Sequence, residues 1–382
     1  MAMATERRTA LRIGADGSWM RWPGGGISRY LDGLLHAMEQ ATDPEEELLV
    51  YYNSIQGDPL FGPGVRERFI RLPNRTAWNQ VRLPAALRRD RIDVYLAGGI
   101  VVPMAARMPV VPVVYDCLSF RDPSAKTRAD VRYWRRWTLH AARRASRIIA
   151  ISEFVADDCV RYLGAERSSI DVAYPGVDGR FTPGDAAEAA GRGERLARLG
   201  IADPYVLHVG AFDPHKGGRV AVDAVGMLVA RGRPVTLVRT GPEKETVGST
   251  PAFVKGLGRV DDATLVDLYR SAEAVVVTST HEGFGLPIVE ALACGTRVVS
   301  TRAAALPEAG GDVAVYAEAG DASSFAGALE RLLDAPPTER ERQRQAGIAH
   351  ATTFTWARSA DQVLATIRAV GGRDRIAKRD DR

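Results

Sequence analysis

Short apolar runs rich in β-branched residues alternate with longer amphipathic stretches along most of this chain. The alternation lapses once and then restarts, and that double pattern constrains the fold more than any other feature of the sequence. The first series reads LRIGADG, LLVYYN, FIRLP, DVYLAGG, VVPVVYD, RIIAIS and IDVAYPG; the second reads YVLHVG, VTLVRTG, FVKGLG, AVVVTS, RVVST and VAVYA. Strands spaced by helical segments predict parallel sheets covered by helices on both faces. Between the two series, residues Val177 to Pro204 hold no strand and are rich in Gly, Ala and charge, so this stretch reads as an interdomain connection. At 382 residues the chain exceeds what one hydrophobic core organises, about 250 residues, so two domains with a cleft between them are expected.

Composition excludes several classes. With 46% hydrophobic and 26% charged residues the chain is globular rather than disordered, and a net charge of +4 does not mark a nucleic-acid binder. The three cysteines, Cys117, Cys159 and Cys294, have neither CxxC spacing nor a histidine cluster, which fits a reducing compartment and no structural metal. The N-terminal MAMATERRTALRIG lacks the apolar stretch of an export signal, so a cytoplasmic protein is expected. Leu96 to Val114 is long and apolar, but Pro103, Pro109, Pro112 and Arg107 interrupt it, and two short buried strands joined by a turn account for it better than a membrane span.

Ligands of open α/β sheets bind beyond the carboxyl ends of the strands, where glycine-rich turns lead into helices. After AVVVTS the chain reads HEGFGLPIVEALACG, with Glu282 in a loop, Gly283 and Gly285 around Phe284, a proline near the start of a helix, and Glu290 about one turn inside it. Glycines let backbone amides approach a ligand, and the helix N-terminus favours a phosphate. Carboxylates on either side suit sugar hydroxyls. The alternative is that Glu290 caps or solvates its helix while Glu282 is loop surface. The stretch VGAFDPHKGG, Val209 to Gly218, places His215 and Lys216 at a second turn, where both read as opening a helix and facing a diphosphate, or as ordinary surface charge.

Three further segments carry chemistry. Gly24, Gly25 and Gly26 precede an amphipathic helix whose apolar face is Ile27, Tyr30, Leu31, Leu34, Leu35 and Met38; the triplet is either a phosphate-approaching turn or a flexible loop. Asp116 ends the strand VVPVVYD, where a carboxylate suits an acceptor hydroxyl, a helix N-cap or a loop hydrogen bond. Arg121 to Arg147 holds nine Lys/Arg against two Asp, interleaved with Tyr133, Trp134 and Trp137. It reads as a solvated helix docked on its own sheet or as a peripheral contact with the inner membrane face. VDDATL precedes a helix and reads as a cap, and GGRDRIAKRDDR reads as a solvated tail.

Taken together these motifs resemble glycosyltransferase family 4, mannosyltransferase-like retaining enzymes of the GT-B fold. The strongest part is Gly258 to Tyr316, which contains the E-x7-E motif as Glu282 and Glu290. The resemblance implies two Rossmann-like doubly wound parallel-sheet domains facing a central cleft. Residues 1–180 would bind the acceptor, 181–204 would be the linker, 205–352 would bind the nucleotide sugar, and a terminal helix over 353–372 would cross back to the first domain. It further implies that Glu290 holds the ribose, that Glu282 contacts the transferred sugar, and that the amides of Gly283, Phe284, Gly285 and Leu286 meet sugar and diphosphate. The backbone at Arg259 and Val260 would read the base, and Lys216 would grip the diphosphate.

Gly25, Gly26 and Arg29 match the GGxxRY opening of such enzymes, and Asp116 with Glu282 and Lys216 completes the expected catalytic set. The chain departs from the family pattern at His215, where an arginine is usual, and at Tyr115, where a histidine is usual. The implied activity is hexose transfer from a nucleotide sugar to a hydroxyl acceptor, without metal or cofactor and without a nucleic-acid partner. Two other readings stay open at this point, a nucleotide-sugar epimerase and a non-catalytic nucleotide-sugar-binding subunit.

Overall fold

The computed structural model describes residues 11–21, 25–125, 127–201, 203–211, 213–242 and 251–380. It divides into two compact units, residues 1–176 with 356–382, and residues 177–355.

The first unit is built on β1 (Leu11–Asp16), β2 (Glu46–Tyr52), β3 (Val65–Phe69), β4 (Val94–Ala97), β5 (Val110–Val114), β6 (Ile148–Ala150) and β7 (Ile170–Val172). These form one parallel sheet in the order β3-β2-β1-β4-β5-β6-β7. β4 and β5 are fully buried, which is why Leu96 to Val114 is so apolar. Beneath the sheet, Trp78, Leu83, Leu87, Tyr95 and Val110 belong to one core cluster. The third strand is Val65–Phe69 rather than FIRLP, which lies one element-length further on. Its Arg66, Glu67 and Arg68 disguise it in the sequence, and they are tolerated because β3 is the sheet edge.

Helix Gly26–Ala41 buries Tyr30, Leu31, Leu34, Leu35 and Met38, the face read from the periodicity; Ile27 is only partly covered. Against it lies the long helix Trp356–Asp380. A methyl group at Gly33 would sit 2.2 Å from the Trp356 ring, so the two helices touch where one side chain is absent. Arg368 holds Glu46 through two contacts of 2.8 Å, and Thr366 Oγ1 donates to Asp171 Oδ2 at 2.8 Å. The helix runs on to Asp380 with Gly371 buried, so the stretch read as a solvated tail is helical; residues 381 and 382 lie outside the described residues.

The second unit is built on β8 (Tyr205–Val209), β9 (Thr236–Thr240), β10 (Val254–Gly256), β11 (Ala274–Val277), β12 (Val298–Thr301) and β13 (Val315–Ala317). All pairings are parallel, in the order β10-β9-β8-β11-β12-β13. Helices Gly218–Ala230 and Ala322–Leu333 cover one face through Val225, Leu228, Phe325 and Leu329. Residues 181–204, read as a linker, belong to this unit and contain helices Ala186–Ala189 and Arg192–Arg198. Arg195 is tied to Asp267 at 2.7 and 3.0 Å.

In both sheets the strand order reverses direction beside the first strand of the series, between β1 and β4 and between β8 and β11. These are the topological switch points at which open α/β sheets bind their ligands.

Candidate active site

The two loops that leave the switch point of the second sheet carry Lys216 and Glu282. Lys216 follows β8 in a single tight turn, Pro214–Lys216; helix Gly218–Ala230 starts only afterwards, so His215 and Lys216 precede the helix rather than open it. Glu282 follows β11 and precedes helix Leu286–Ala293. The Lys216 ammonium donates to Glu282 Oε1 at 2.6 Å, and Ser279 Oγ donates to the same oxygen at 2.7 Å.

Backbone and hydroxyl contacts lock one loop against the other. Thr280 N donates to the His215 carbonyl at 2.9 Å, and Thr278 Oγ1 donates to the Lys216 carbonyl at 2.9 Å. Gly217 closes this turn at φ +65°, and a Cβ there would sit 2.2 Å from the Thr278 carbonyl oxygen. Strain and collision coincide at that position, so no side chain fits without moving the lysine. Gly217→Ala is therefore expected to lower Tm by several degrees, from a cost on the order of 2 kcal/mol, and to displace Lys216. Differential scanning fluorimetry checks this, and an unchanged Tm contradicts it.

Electrostatics follow from the partial burial of the pair. Burial pushes the Glu282 carboxyl up, but the Lys216 charge, the Lys216 and Ser279 hydrogen bonds and His215 together hold it below its usual value of 4.5. Burial and the neighbouring Lys216 both depress His215, so the imidazole is neutral at pH 7 and the ammonium supplies the positive charge of this turn. Beneath it, burial and the Arg239 charge pull His208 down to about 4.

Glu290 lies within helix Leu286–Ala293 at 2% exposure, where Tyr269 OH donates to its Oε2 at 2.8 Å. It therefore neither caps nor solvates the helix. Gly285 takes φ +124° at the helix N-cap and packs on Leu306 and Ala309; Gly283 and Leu286 are partly exposed beside it, and Phe284 is buried against Phe354. Arg259 is exposed and Val260 partly so, in the loop between β10 and helix Asp262–Ser271. Asp261 caps that helix by accepting from Thr264 N at 2.7 Å, as VDDATL suggested.

The residues that sequence reading overlooked here are Ser279, Thr278 and Tyr269. Each sits within or beside an apolar strand or helix run, so its hydroxyl carried no signal; Ser279, three residues before Glu282, was the most accessible of them.

In the first unit Gly25 adopts φ +138° as N-cap of Gly26–Ala41. It and Gly26 are exposed, with nothing within 4 Å of a Cβ at either, and Arg29 stands one turn in. Gly24 lies outside the described residues. Tyr115 is a core residue: its OH donates to the Gly98 carbonyl at 3.0 Å, and its ring packs edge-on against Tyr30. Asp116 is exposed, two residues past the end of β5, with Oδ1 accepting from Leu118 N at 2.9 Å, a loop hydrogen bond; Cys117, not Asp116, is the cap of the short helix that follows.

In the basic segment, Trp137 is buried and Tyr133 packs on Trp134 and Trp137. Arg135 Nε donates to the Ser119 carbonyl at 2.8 Å, while Arg132, Arg136 and Arg143 remain exposed. No helix among the described residues is long and apolar enough to cross a membrane.

Both units resemble known proteins. Residues 24–180 match the model for Glycosyltransferase Family 4, and residues 203–335 match that for Glycosyl transferases group 1. A D-inositol 3-phosphate glycosyltransferase of Actinosynnema mirum is 37% identical over 244 residues, 58% of this chain and 57% of the relative. That of Segniliparus rotundus is 34% identical over 243 residues, 59% of this chain and 52% of the relative. The chain thus spans about half the length of these curated relatives. O-antigen chain mannosyltransferase B of Escherichia coli is 28% identical over 76% of both chains. Among solved structures, Anabaena Alr3699/HepE in complex with UDP-glucose superposes with TM-score 0.72 at 20% identity, covering 94% of this chain and 100% of that one. WaaG, a glycosyltransferase involved in lipopolysaccharide biosynthesis, gives 0.71 at 15% identity, covering 94% and 99%.

Proposed function

The chain belongs to glycosyltransferase family 4 and has the GT-B fold, and we propose that it moves a hexose, mannose-like, from a nucleotide sugar to a hydroxyl acceptor with retention and without a metal. One observation carries this reading: an ammonium and a carboxylate, 2.6 Å apart, are locked together at a sheet switch point beside a helix N-terminus. An ammonium fixed there suits the diphosphate, and the same carboxylate suits the hydroxyls of the sugar attached to it.

In the proposed reaction the bond between the anomeric carbon and the diphosphate oxygen breaks, and the electron pair leaves with the diphosphate. Lys216 and the positive end of helix Leu286–Ala293 stabilise that charge. The acceptor oxygen attacks the same face of the anomeric carbon, and its proton leaves toward the departing phosphate. Glu282 positions the transferred sugar, Glu290 holds the ribose, the backbone at Arg259 and Val260 meets the base, and Gly283 to Leu286 line the diphosphate. Gly25, Gly26 and Arg29 are assigned to the donor, and Asp116 to the acceptor hydroxyl, on the motif, with Gly25, Gly26 and Asp116 exposed and Arg29 partly so. The mannose-like preference is supported by the likeness to the Escherichia coli mannosyltransferase.

Thermal-shift screening against GDP-, UDP-, dTDP- and ADP-sugars tests the donor half. A ligand at hundredfold excess over Kd contributes about 2.7 kcal/mol, enough to raise Tm by roughly 5 °C. One base is expected to do so and the others much less. Nucleoside diphosphate release that requires an acceptor then separates transfer from epimerisation. No stabilisation by any of the four bases ends the proposal.

A further inference from the structure

Lys216 and Glu282 share one contact, and its consequence depends on what a phosphate beside it carries. The ammonium has three hydrogens and gives one to Glu282 Oε1 at 2.6 Å; the others meet no acceptor among the described residues. Both hydrogen bonds that the carboxylate accepts, from Lys216 Nζ and Ser279 Oγ, fall on Oε1, so Oε2 has no donor among the described residues. The two side chains are 26% and 18% exposed, so each can meet a ligand without leaving the other.

Geometry then limits how far the carboxylate can stand from any phosphate that this lysine holds. A phosphate oxygen at an ordinary ~2.8 Å from the ammonium lies within about 5.5 Å of Glu282 Oε1 at every angle, because the two contacts meet at one nitrogen. The pair sums to no net charge, and His215, lowered by burial, adds none at pH 7. Carboxylate and phosphate repel at that separation. The effect on affinity runs from about 3-fold at the dielectric of water to roughly 100-fold at that of a protein surface.

The two sides of the transfer differ at this point. In a nucleotide sugar the hexose is esterified to the terminal phosphate, the bridging oxygen is uncharged, and sugar hydroxyls can donate to the carboxylate. After transfer the electron pair of the broken bond stays on that oxygen, which gains a charge, and the hydroxyls that offset the repulsion leave with the product. One contact therefore favours the donor and disfavours the diphosphate left behind. We propose that Glu282 has a second role, setting the preference of the site for nucleotide sugar over free nucleoside diphosphate and so promoting release of the spent nucleotide. This deepens the glycosyl-transfer reading and rests on it.

The test is calorimetric titration of the full chain with whichever of GDP, UDP, dTDP and ADP raises Tm most, and with the matching GDP-mannose, UDP-glucose, dTDP-glucose or ADP-glucose. Glu282→Gln keeps the shape and an oxygen for Lys216 and Ser279 while removing the charge. It is expected to bind the nucleoside diphosphate about 10-fold more tightly than the parent, and to lower the ratio of diphosphate Kd to nucleotide-sugar Kd by a similar factor. Glu282→Asp keeps the charge on a shorter side chain and is expected to hold the diphosphate within about 3-fold of the parent. Glu282→Ala removes charge and side chain together, and it answers alone if the glutamine variant does not fold. Removal of a carboxylate with only a structural role would weaken nucleotide binding or leave it unmoved, never tighten it.

Diphosphate affinity in Glu282→Gln equal to or below that of the parent, an unchanged ratio of the two Kd values, or the same tightening in Glu282→Asp overturns the inference. The parent keeps the two readings apart. If it binds the diphosphate and Glu282→Gln binds it no better, only the release role fails; if no nucleotide binds the parent at all, the transferase reading fails first.

Discussion

Replacing Lys216 by alanine is expected to lower turnover by about 10²- to 10³-fold, the range found when one preorganised charge-stabilising donor is removed from an active site. The loss should fall on kcat more than on the donor KM, because the diphosphate carries its full extra charge only as the glycosidic bond breaks. His215, the neighbouring candidate, is a poor substitute, because burial, the largest influence on it, lowers it whether or not Lys216 is present. His215→Ala should therefore cost far less than Lys216→Ala, and comparable losses would remove the reason for assigning the charge to the ammonium.

The same substitution has a signature without substrate. Glu282 is partly buried, which alone would raise its carboxyl, and Lys216 is the largest of the influences that bring it below 4.5. A depressed folded-state value means that the pair stabilises the protein fully above pH 4.5 and that this contribution fades as pH falls through the lower folded value. In Lys216→Ala the carboxylate keeps Ser279 Oγ and loses the cation. The variant should be less stable than the parent at pH 6 to 7, with the two Tm curves converging as the medium is made more acidic. Parallel curves between pH 4 and 7 would mean that the ion pair does not exist in solution. Wild-type turnover in Lys216→Ala would end the assignment of the residue altogether.

How much of this was legible in the sequence depends on what each residue signals locally. Twelve of the thirteen strands among the described residues fall on the apolar runs, because a strand inside a parallel sheet is covered on both faces and is largely apolar. The exception, Val65–Phe69, is an edge strand, and charge is permitted where only one neighbour exists. Helix faces were equally plain: Tyr30, Leu31, Leu34, Leu35 and Met38 recur at helical spacing and all are buried.

Pair identities were not legible. Motif reading set Lys216 and Glu282 in separate loops, but it could not bring one onto the other, since the contact joins residues 66 positions apart in sequence through the ends of β8 and β11. Gly217 looked like any turn glycine, and its necessity comes from the Thr278 carbonyl on another loop.

Glu290 tests the other half of the donor site, and the isosteric change is the informative one. Truncation to alanine would confuse two effects, because Tyr269 OH donates to Glu290 Oε2 inside the core and would be stranded, costing about 1–3 kcal/mol of stability whatever the function. Glu290→Gln preserves volume and leaves a carbonyl oxygen that can still accept from Tyr269. What it removes is the charge and one acceptor, which a ribose with two adjacent hydroxyls would use. A hydrogen bond to a charged partner is worth about 1.5–3 kcal/mol, so affinity for the nucleoside diphosphate should fall by about 10- to 100-fold while Tm changes little. Tyr269→Phe makes the complementary measurement. It leaves the carboxylate intact but releases it from its anchor, and a smaller loss, within about tenfold, is expected because the acceptor is present yet less well placed. If Glu290→Gln binds nucleotide as the parent does and loses stability instead, the carboxylate is a core polar group satisfied by tyrosine, and the pentose must be read elsewhere in the second unit.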